Sequence, residues 1–224
     1  MNNGLDVGRR AAAEGIAAFA LVFAGCGAIV ANAEYEGSLG TVGIALVFGL
    51  VIMVMIYATG HLSGAHINPA VTIAFPLSRH FPAREALAYI VAQCAGAIGA
   101  ALVLLAVWPG KPADLGATLP SVGVGSALAY EGILTAFLMF VIMAVATDTR
   151  AVGAAAAIAI GGTIGLDALF GGPVTGASMN PARSLGPALV SGTWTDFWVY
   201  VAGPVLGAGV GALAYQLIRG DRNR

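Results

Sequence analysis

Six stretches of about twenty residues, 11–33, 41–60, 84–107, 125–147, 151–171 and 196–218, carry almost no charge. A hydrocarbon core ~30 Å thick is crossed by roughly 20 helical residues, so each stretch has the length of one span. Lipid supplies no hydrogen-bond partner to the backbone, which leaves helices and closed barrels as the only structures that cross it. Continuous apolar runs, as opposed to alternating ones, select the helix. The composition agrees: 58% of the 224 residues are hydrophobic and 9% are charged, where soluble domains carry about 25% charge. A net charge of -1 provides no drive toward nucleic acid, and none is expected as a partner. The polar residues up to Arg10 precede an apolar run too long for a cleaved leader, so the first run reads as a retained span. Cys26 and Cys94 both stand in apolar runs and read as small buried hydrophobes.

Two more apolar stretches, 67–78 and 179–190, are too short to span and read as re-entrant half-helices. Each contains the same tripeptide, Asn68-Pro69-Ala70 and Asn180-Pro181-Ala182. The surrounding segments, GHLSGAHINPAV (60–71) and GPVTGASMNPAR (172–183), align without a gap. Gly60/Gly172, Gly64/Gly176 and Ala65/Ala177 are identical pairs, and Ser63/Thr175 and Ile67/Met179 are near matches. A duplicated segment interrupted by Gly and Pro points to a permeation site at the bilayer midplane.

Orientation follows from Lys and Arg placement. With the N-terminus cytoplasmic, Arg9, Arg10, Arg79, Arg84, Arg150, Arg219, Arg222 and Arg224 fall inside, and only Lys111 and Arg183 fall outside. Both termini are therefore expected in the cytoplasm. The two re-entrant segments then enter from opposite sides, which makes the repeat inverted. The expected fold is an all-α membrane protein with six transmembrane helices and two half-helices. It is one domain over 1–224, its first repeat about 9–108 and its second about 125–218. The stretch 109–124 reads as a polar external loop, and Trp108, Trp194 and Trp198 as interfacial anchors.

A second echo joins the halves: Glu14-Gly15-Ile16 on the first span and Glu131-Gly132-Ile133 on the fourth. A carboxylate inside a span is costly and is retained for a task or a partner. Acceptance of hydrogen bonds from the non-helical backbone before each half-helix is preferred over proton relay, because such backbone cannot stay unsatisfied at membrane depth. Ala92 and Gly96 on the third span, and Gly203, Gly207 and Gly211 on the sixth, have the spacing of close helix contacts.

Each Asn-Pro-Ala also reads as a helix start. Asn is a favoured N-cap, and Pro suits the first helical position. The side-chain oxygen of Asn68 or Asn180 caps its own helix, leaving the amide NH₂ as a donor toward a pore. Two half-helix N-termini aimed at one spot disfavour cations and protons and let neutral oxygen-bearing solutes pass. No metal-ligand cluster, catalytic set or phosphate loop is evident in the sequence, and neither an enzyme nor a cofactor is expected.

The paired tripeptides, Glu14 and Glu131, and the run GASMNPARSLGPALV (176–190) resemble the aquaporin, or major intrinsic protein, family from about residue 9 to 218. The stretches 58–75, 145–153 and 172–190 resemble in particular the plant nodulin-like intrinsic proteins and their bacterial relatives. The resemblance implies a right-handed aquaporin-like bundle assembled as a homotetramer with one pore per protomer. It also implies an outer selectivity filter of four residues, which spacing from the tripeptides places at Phe48, Ala168, Ala177 and Arg183.

Water-specific members usually carry His at the position of Ala168, so two alanines imply a wider, less polar opening. Ser184, Ala188 and Phe197-Trp198 are nearer to water-type members, and nodulin-like members share this mixture. Phe48 departs from the Trp common among them. The expected function is a passive channel for water together with glycerol, urea or uncharged metalloid hydroxides such as arsenous acid, excluding ions and protons. A water-selective channel is the alternative, and a coupled secondary transporter the rival of another class. Asp167 is expected to hydrogen-bond between helices. His61 and His66 are expected to order the loop before the first half-helix rather than to gate it. The Ala- and Gly-rich chain suggests a bacterial inner membrane.

Overall fold

The computed structural model describes residues 5–148, 150–151 and 153–220. Arg222 and Arg224 of the charge asymmetry lie outside the described residues, as do Thr149 and Val152 of the stretch 145–153. In chain order the long elements are α1 (Val7–Glu34), α2 (Gly40–Ser63), α3 (Pro69–Leu77), α4 (Ala83–Val107), α5 (Val124–Ile142), α6 (Ala156–Thr175), α7 (Pro181–Ser191) and α8 (Val199–Arg219). A π-helical turn, Met143–Thr147, carries α5 onward, and a short 3-10 turn, Gly153–Ala155, leads into α6. Six of these helical stretches are long and apolar enough to cross a membrane, and α3 and α7 are the two short helices. No strand is present among the described residues.

The ends of α2 and α6 lie beyond the expected 60 and 171. Hydropathy fades there, but a helix ends where its chain can turn. Gly64 (φ 94°) and Gly176 (φ 87°) cap the two helices in the left-handed conformation, which glycine adopts without steric penalty. At the other end, α6 starts after the expected 151 because Asp148 organises a turn. Its carboxylate accepts from the Arg150 backbone N–H at 3.0 Å and from the Tyr215 hydroxyl at 2.8 Å. The Arg150 guanidinium, hydrogen-bonded to it, holds the Asp148 carboxyl well below the ordinary carboxylate range.

The halves repeat their packing: α1 lies along α4, α5 along α8, and α2 meets α6 where the halves join. The half-helices cross over, α7 lying chiefly on α4 and α3 chiefly on α8. Glycines set how close these helices come. A Cβ on Gly96 would stand 2.0 Å from the Gly15 carbonyl oxygen, and one on Gly207 2.1 Å from that of Gly132. Gly15 and Gly132 directly follow Glu14 and Glu131, so the repeated Glu-Gly pairs a buried acid with a helix contact.

Outward faces are apolar, with Leu87, Val91, Leu206 and Val210 exposed, and Trp194 and Trp198 also exposed. These are the surfaces a bilayer covers. The loop 109–124 departs from the polar surface expected of it. Its turn Pro112–Gly116 is left-handed, with Ala113, Asp114 and Leu115 at φ 48°, 49° and 56°. Leu115 and Gly116 are buried against α1, where a Cβ on Gly116 would meet Cys26 Cβ at 2.7 Å.

Gly207→Ala should lower stability by about 1–3 kcal/mol, the usual cost of overpacking. Gly209→Ala, with nothing within 4 Å of its Cβ position, should be neutral or stabilise by up to ~1 kcal/mol through helix propensity. Thermal unfolding of both variants in detergent checks the contrast.

Candidate functional site

The two loops before the half-helices share one backbone pattern. Gly64, Ala65 and Ile67 have φ of 94°, 49° and 55°, and Gly176, Ala177 and Met179 have 87°, 40° and 52°. A non-glycine residue held there costs about 1–3 kcal/mol and persists only when its surroundings over-determine it. Those surroundings are two fully buried carboxylates. Glu14 Oε1 accepts from Ser63 Oγ (2.6 Å) and the His66 N–H (2.9 Å), and its Oε2 from the Ile67 N–H (2.6 Å) and Gln93 Nε2 (2.9 Å). Glu131 Oε1 accepts from Thr175 Oγ1 (2.7 Å) and the Ser178 N–H (2.9 Å), and its Oε2 from the Met179 N–H (2.8 Å). Neighbouring tyrosines add a matching brace. Tyr89 donates to the Ser63 carbonyl at 2.8 Å and Tyr200 to the Thr175 carbonyl at 2.7 Å.

The helices begin where the loops end. Asn68 and Asn180 are N-caps in extended conformation with Pro at the next position. Asn68 Oδ1 accepts from the Ala70 N–H (2.9 Å), and Asn180 Oδ1 from those of Ala182 (3.0 Å) and Arg183 (3.2 Å). The side-chain amides differ from the expectation that they stand free toward the pore. Asn68 Nδ2 donates to the Met179 carbonyl at 2.7 Å and Asn180 Nδ2 to the Ile67 carbonyl at 2.9 Å. A carboxamide has two N–H groups, so each Asn spends one on the opposite loop and keeps one.

Asn68, Asn180, Phe48, Ala168, Ala177 and Arg183 line one cavity. It has a volume of about 90 Å³ and is lined from Phe48 and Arg183 past His66 to Ala146 and Ala156. Aliphatic side chains, Ile52, Val71, Leu138 and Ile160, and the loop segments Gly64–Asn68 and Ala177–Asn180 border it. The Arg183 guanidinium carbon lies 5.1 Å from the centre of the Phe48 ring, within cation–π range. Arg183 Nη1 donates to the Gly116 carbonyl at 2.7 Å, while its Nε and Nη2 are buried without a protein acceptor. A second cavity of about 350 Å³ adjoins Phe48 and Ala168 and is walled by Ile29, Ile44 and Leu119.

Two residues, Asp167 and His61, depart from their expected places. Asp167 is fully buried, yet neither carboxylate oxygen has a hydrogen-bond partner, and it does not line the cavity. One turn later Gly171 packs against Leu134 and Tyr130, side chains that give Asp167's neighbourhood on α6 an apolar face. His61 belongs to the last turn of α2, not to the loop. His66 does lie in the loop. Its ring is enclosed by Phe75, Phe81 and Tyr89 at 4.6, 4.7 and 5.1 Å, and its Nδ1 lies 3.2 Å from Thr72 Oγ1.

Several working residues escaped the sequence reading. Ser63 and Thr175 were visible as an aligned pair, but nothing marked them as donors to Glu14 and Glu131. Gln93, which also donates to Thr72 Oγ1 at 3.0 Å, has no echo in the second half. Gly116 acts through its carbonyl, which no side-chain pattern reveals.

Glu131→Ala would strand the Ser178 and Met179 N–H groups and the Thr175 hydroxyl. At about 1–3 kcal/mol per buried unsatisfied group, the loss should reach at least ~3 kcal/mol. Denaturation in mild detergent, with folded yield as a second readout, checks it.

Comparison with known proteins fits this geometry. The sequence profile of the Major intrinsic protein family matches residues 3–215. Aquaporin NIP1-4 of Oryza sativa subsp. japonica is 53% identical over 94% of this chain and 77% of its own length. Nodulin-26 of Glycine max is 49% identical over 92% of this chain and 76% of its own. The X-ray structure of the aquaglyceroporin from Plasmodium falciparum superposes with a TM-score of 0.84 at 28% identity, covering 96% of this chain and 97% of that one. With its six spans, two half-helices and buried loop acids, this multi-pass membrane protein belongs to the major intrinsic protein family, whose aquaporins are channels and not enzymes.

Proposed function

We propose that this passive channel for water and small solutes is a broad one, admitting glycerol, urea and uncharged metalloid hydroxides such as arsenous acid beside water. The carrying observation is the constriction. Arg183 and Phe48 face two methyl side chains, Ala168 and Ala177, on the same cavity. Arg183 sets a fixed positive charge beside the path of a hydroxyl or carbonyl oxygen, Phe48 and the alanines meet the carbon side of the solute, and Arg183 is the one charged side chain among the four. Asn68 and Asn180 then offer one amide N–H each at the meeting of the half-helices, whose positive ends repel cations.

The lining supports a channel over a coupled transporter. Its only ionisable side chains among the described residues are His66 and Arg183, since Glu14 and Glu131 are committed to the loops and Asp167 lies off the path. The proposal extends to one channel unit over 1–224 with repeats at about 9–108 and 125–218. It further includes a homotetramer of such units and both termini in the cytoplasm, on the strength of the Arg distribution. A bacterial inner membrane is the proposed setting, on the Ala- and Gly-rich composition.

Stopped-flow light scattering on proteoliposomes tests the solute range. Water, glycerol and urea permeabilities should all exceed those of empty vesicles; fast water with no solute flux would make this a water-selective aquaporin instead. Ala168→His should cut glycerol flux about tenfold or more and water flux less, a difference of ~1.4 kcal/mol in barrier; equal loss of both overturns the filter assignment. A Cβ on Gly25 would stand 2.2 Å from the Phe48 ring. Gly25→Ala should therefore push the ring into the cavity and lower glycerol flux more than water flux in the same assay.

A further inference from the structure

Outside the pore, one cavity is walled by charge. It has a volume of about 290 Å³, and Arg10 of α1, His61 of α2, and His80, Arg84 and Glu85 around the start of α4 line it. Arg10 and Arg84 are positive at any physiological pH, and Glu85 offsets one of them. The cavity therefore keeps a positive charge even before His61 and His80 are considered. Glu85 forms an ion pair with Arg10, Oε2 to Nη2 at 2.7 Å. At the cavity wall the N-cap of α4 is Pro82, which supplies no side-chain cap. Arg10, His61, His80 and Arg84 thus meet at one space beside an uncapped helix start.

We infer that this cavity binds a tetrahedral oxyanion of the phosphate class. An oxyanion would balance the positive charge that Glu85 leaves on Arg10 and Arg84, and a guanidinium fork matches adjacent phosphate oxygens. His61 at the end of α2 and His80 in the loop before α4 complete the lining. The cavity opens on the Arg-bearing face of the bundle, at the ends of membrane-spanning helices. Basic pockets so placed take lipid headgroups as readily as free anions. Inorganic phosphate and the phosphomonoester headgroup of phosphatidic acid share the required chemistry. His66 lines both this cavity and the axial one, so a bound anion would sit against a residue of the permeation path.

The test is calorimetric titration of inorganic phosphate into the purified full-length protein in neutral detergent, at ionic strength fixed with chloride. Native mass spectrometry after exposure to micelles of phosphatidic acid or phosphatidylcholine runs beside it. Arg84→Gln should weaken phosphate binding about tenfold, the worth of one charge-assisted contact. Arg84→Lys should recover part of the loss, and Arg9→Gln, on an Arg outside the cavity, should change nothing. Arg84 carries the test because it leaves the Arg10–Glu85 pair intact. Phosphate binding with this pattern assigns a free-anion site. Selective retention of phosphatidic acid, lost in Arg84→Gln and without phosphate binding, assigns the same site to a lipid headgroup. Absence of both, or equal effects of Arg9→Gln and Arg84→Gln, overturns the proposal.

Discussion

Two carboxylates buried inside a membrane protein hold up everything that the pore requires. A re-entrant loop must turn back within the hydrocarbon region, and its N–H groups have no water to meet. Glu14 and Glu131 supply the missing acceptors, each from a long helix outside the loop itself. Ile67 and Met179 can then occupy left-handed conformations that their side chains disfavour. Without that exchange the half-helices would lose their starting points, and Asn68 and Asn180 their positions.

The surroundings of Arg183 follow a different logic, since symmetry stops there. Val71 stands in the first segment where Arg183 stands in the second, so the repeat does not duplicate the guanidinium. Arg183 is steadied from two sides, by the Phe48 ring and by the Gly116 carbonyl. The carbonyl is available because the turn before it is left-handed and tucked against α1. A left-handed turn between the halves, buried at Leu115 and Gly116, thus holds the Arg183 guanidinium in place.

Much of this was legible in the sequence, for identifiable reasons. Spans announce themselves because lipid tolerates only long apolar helices. The half-helices announce themselves because Asn and Pro have strict preferences at helix starts. The repeat made the two acids readable as a pair. What stayed hidden depends on backbone groups or on particular three-dimensional neighbours. Gly116 acts through a carbonyl and the Asn amides through carbonyls of the opposite loop, while the burial of Asp167 without a hydrogen-bond partner is a setting that no local pattern encodes. Helix ends were misplaced where hydropathy and turning capacity parted, at Gly64 and Gly176.

The crossed amide bonds of Asn68 and Asn180 bear on how the protein is made. Asn68 finds its acceptor 111 residues further along the chain. At a synthesis rate of roughly 5–20 residues per second, that partner emerges on the order of ten seconds later. Until then neither the Asn68 amide nor the Ile67 carbonyl can have the partner it has in the finished protein. The meeting of the two loops therefore waits for the second half of the chain.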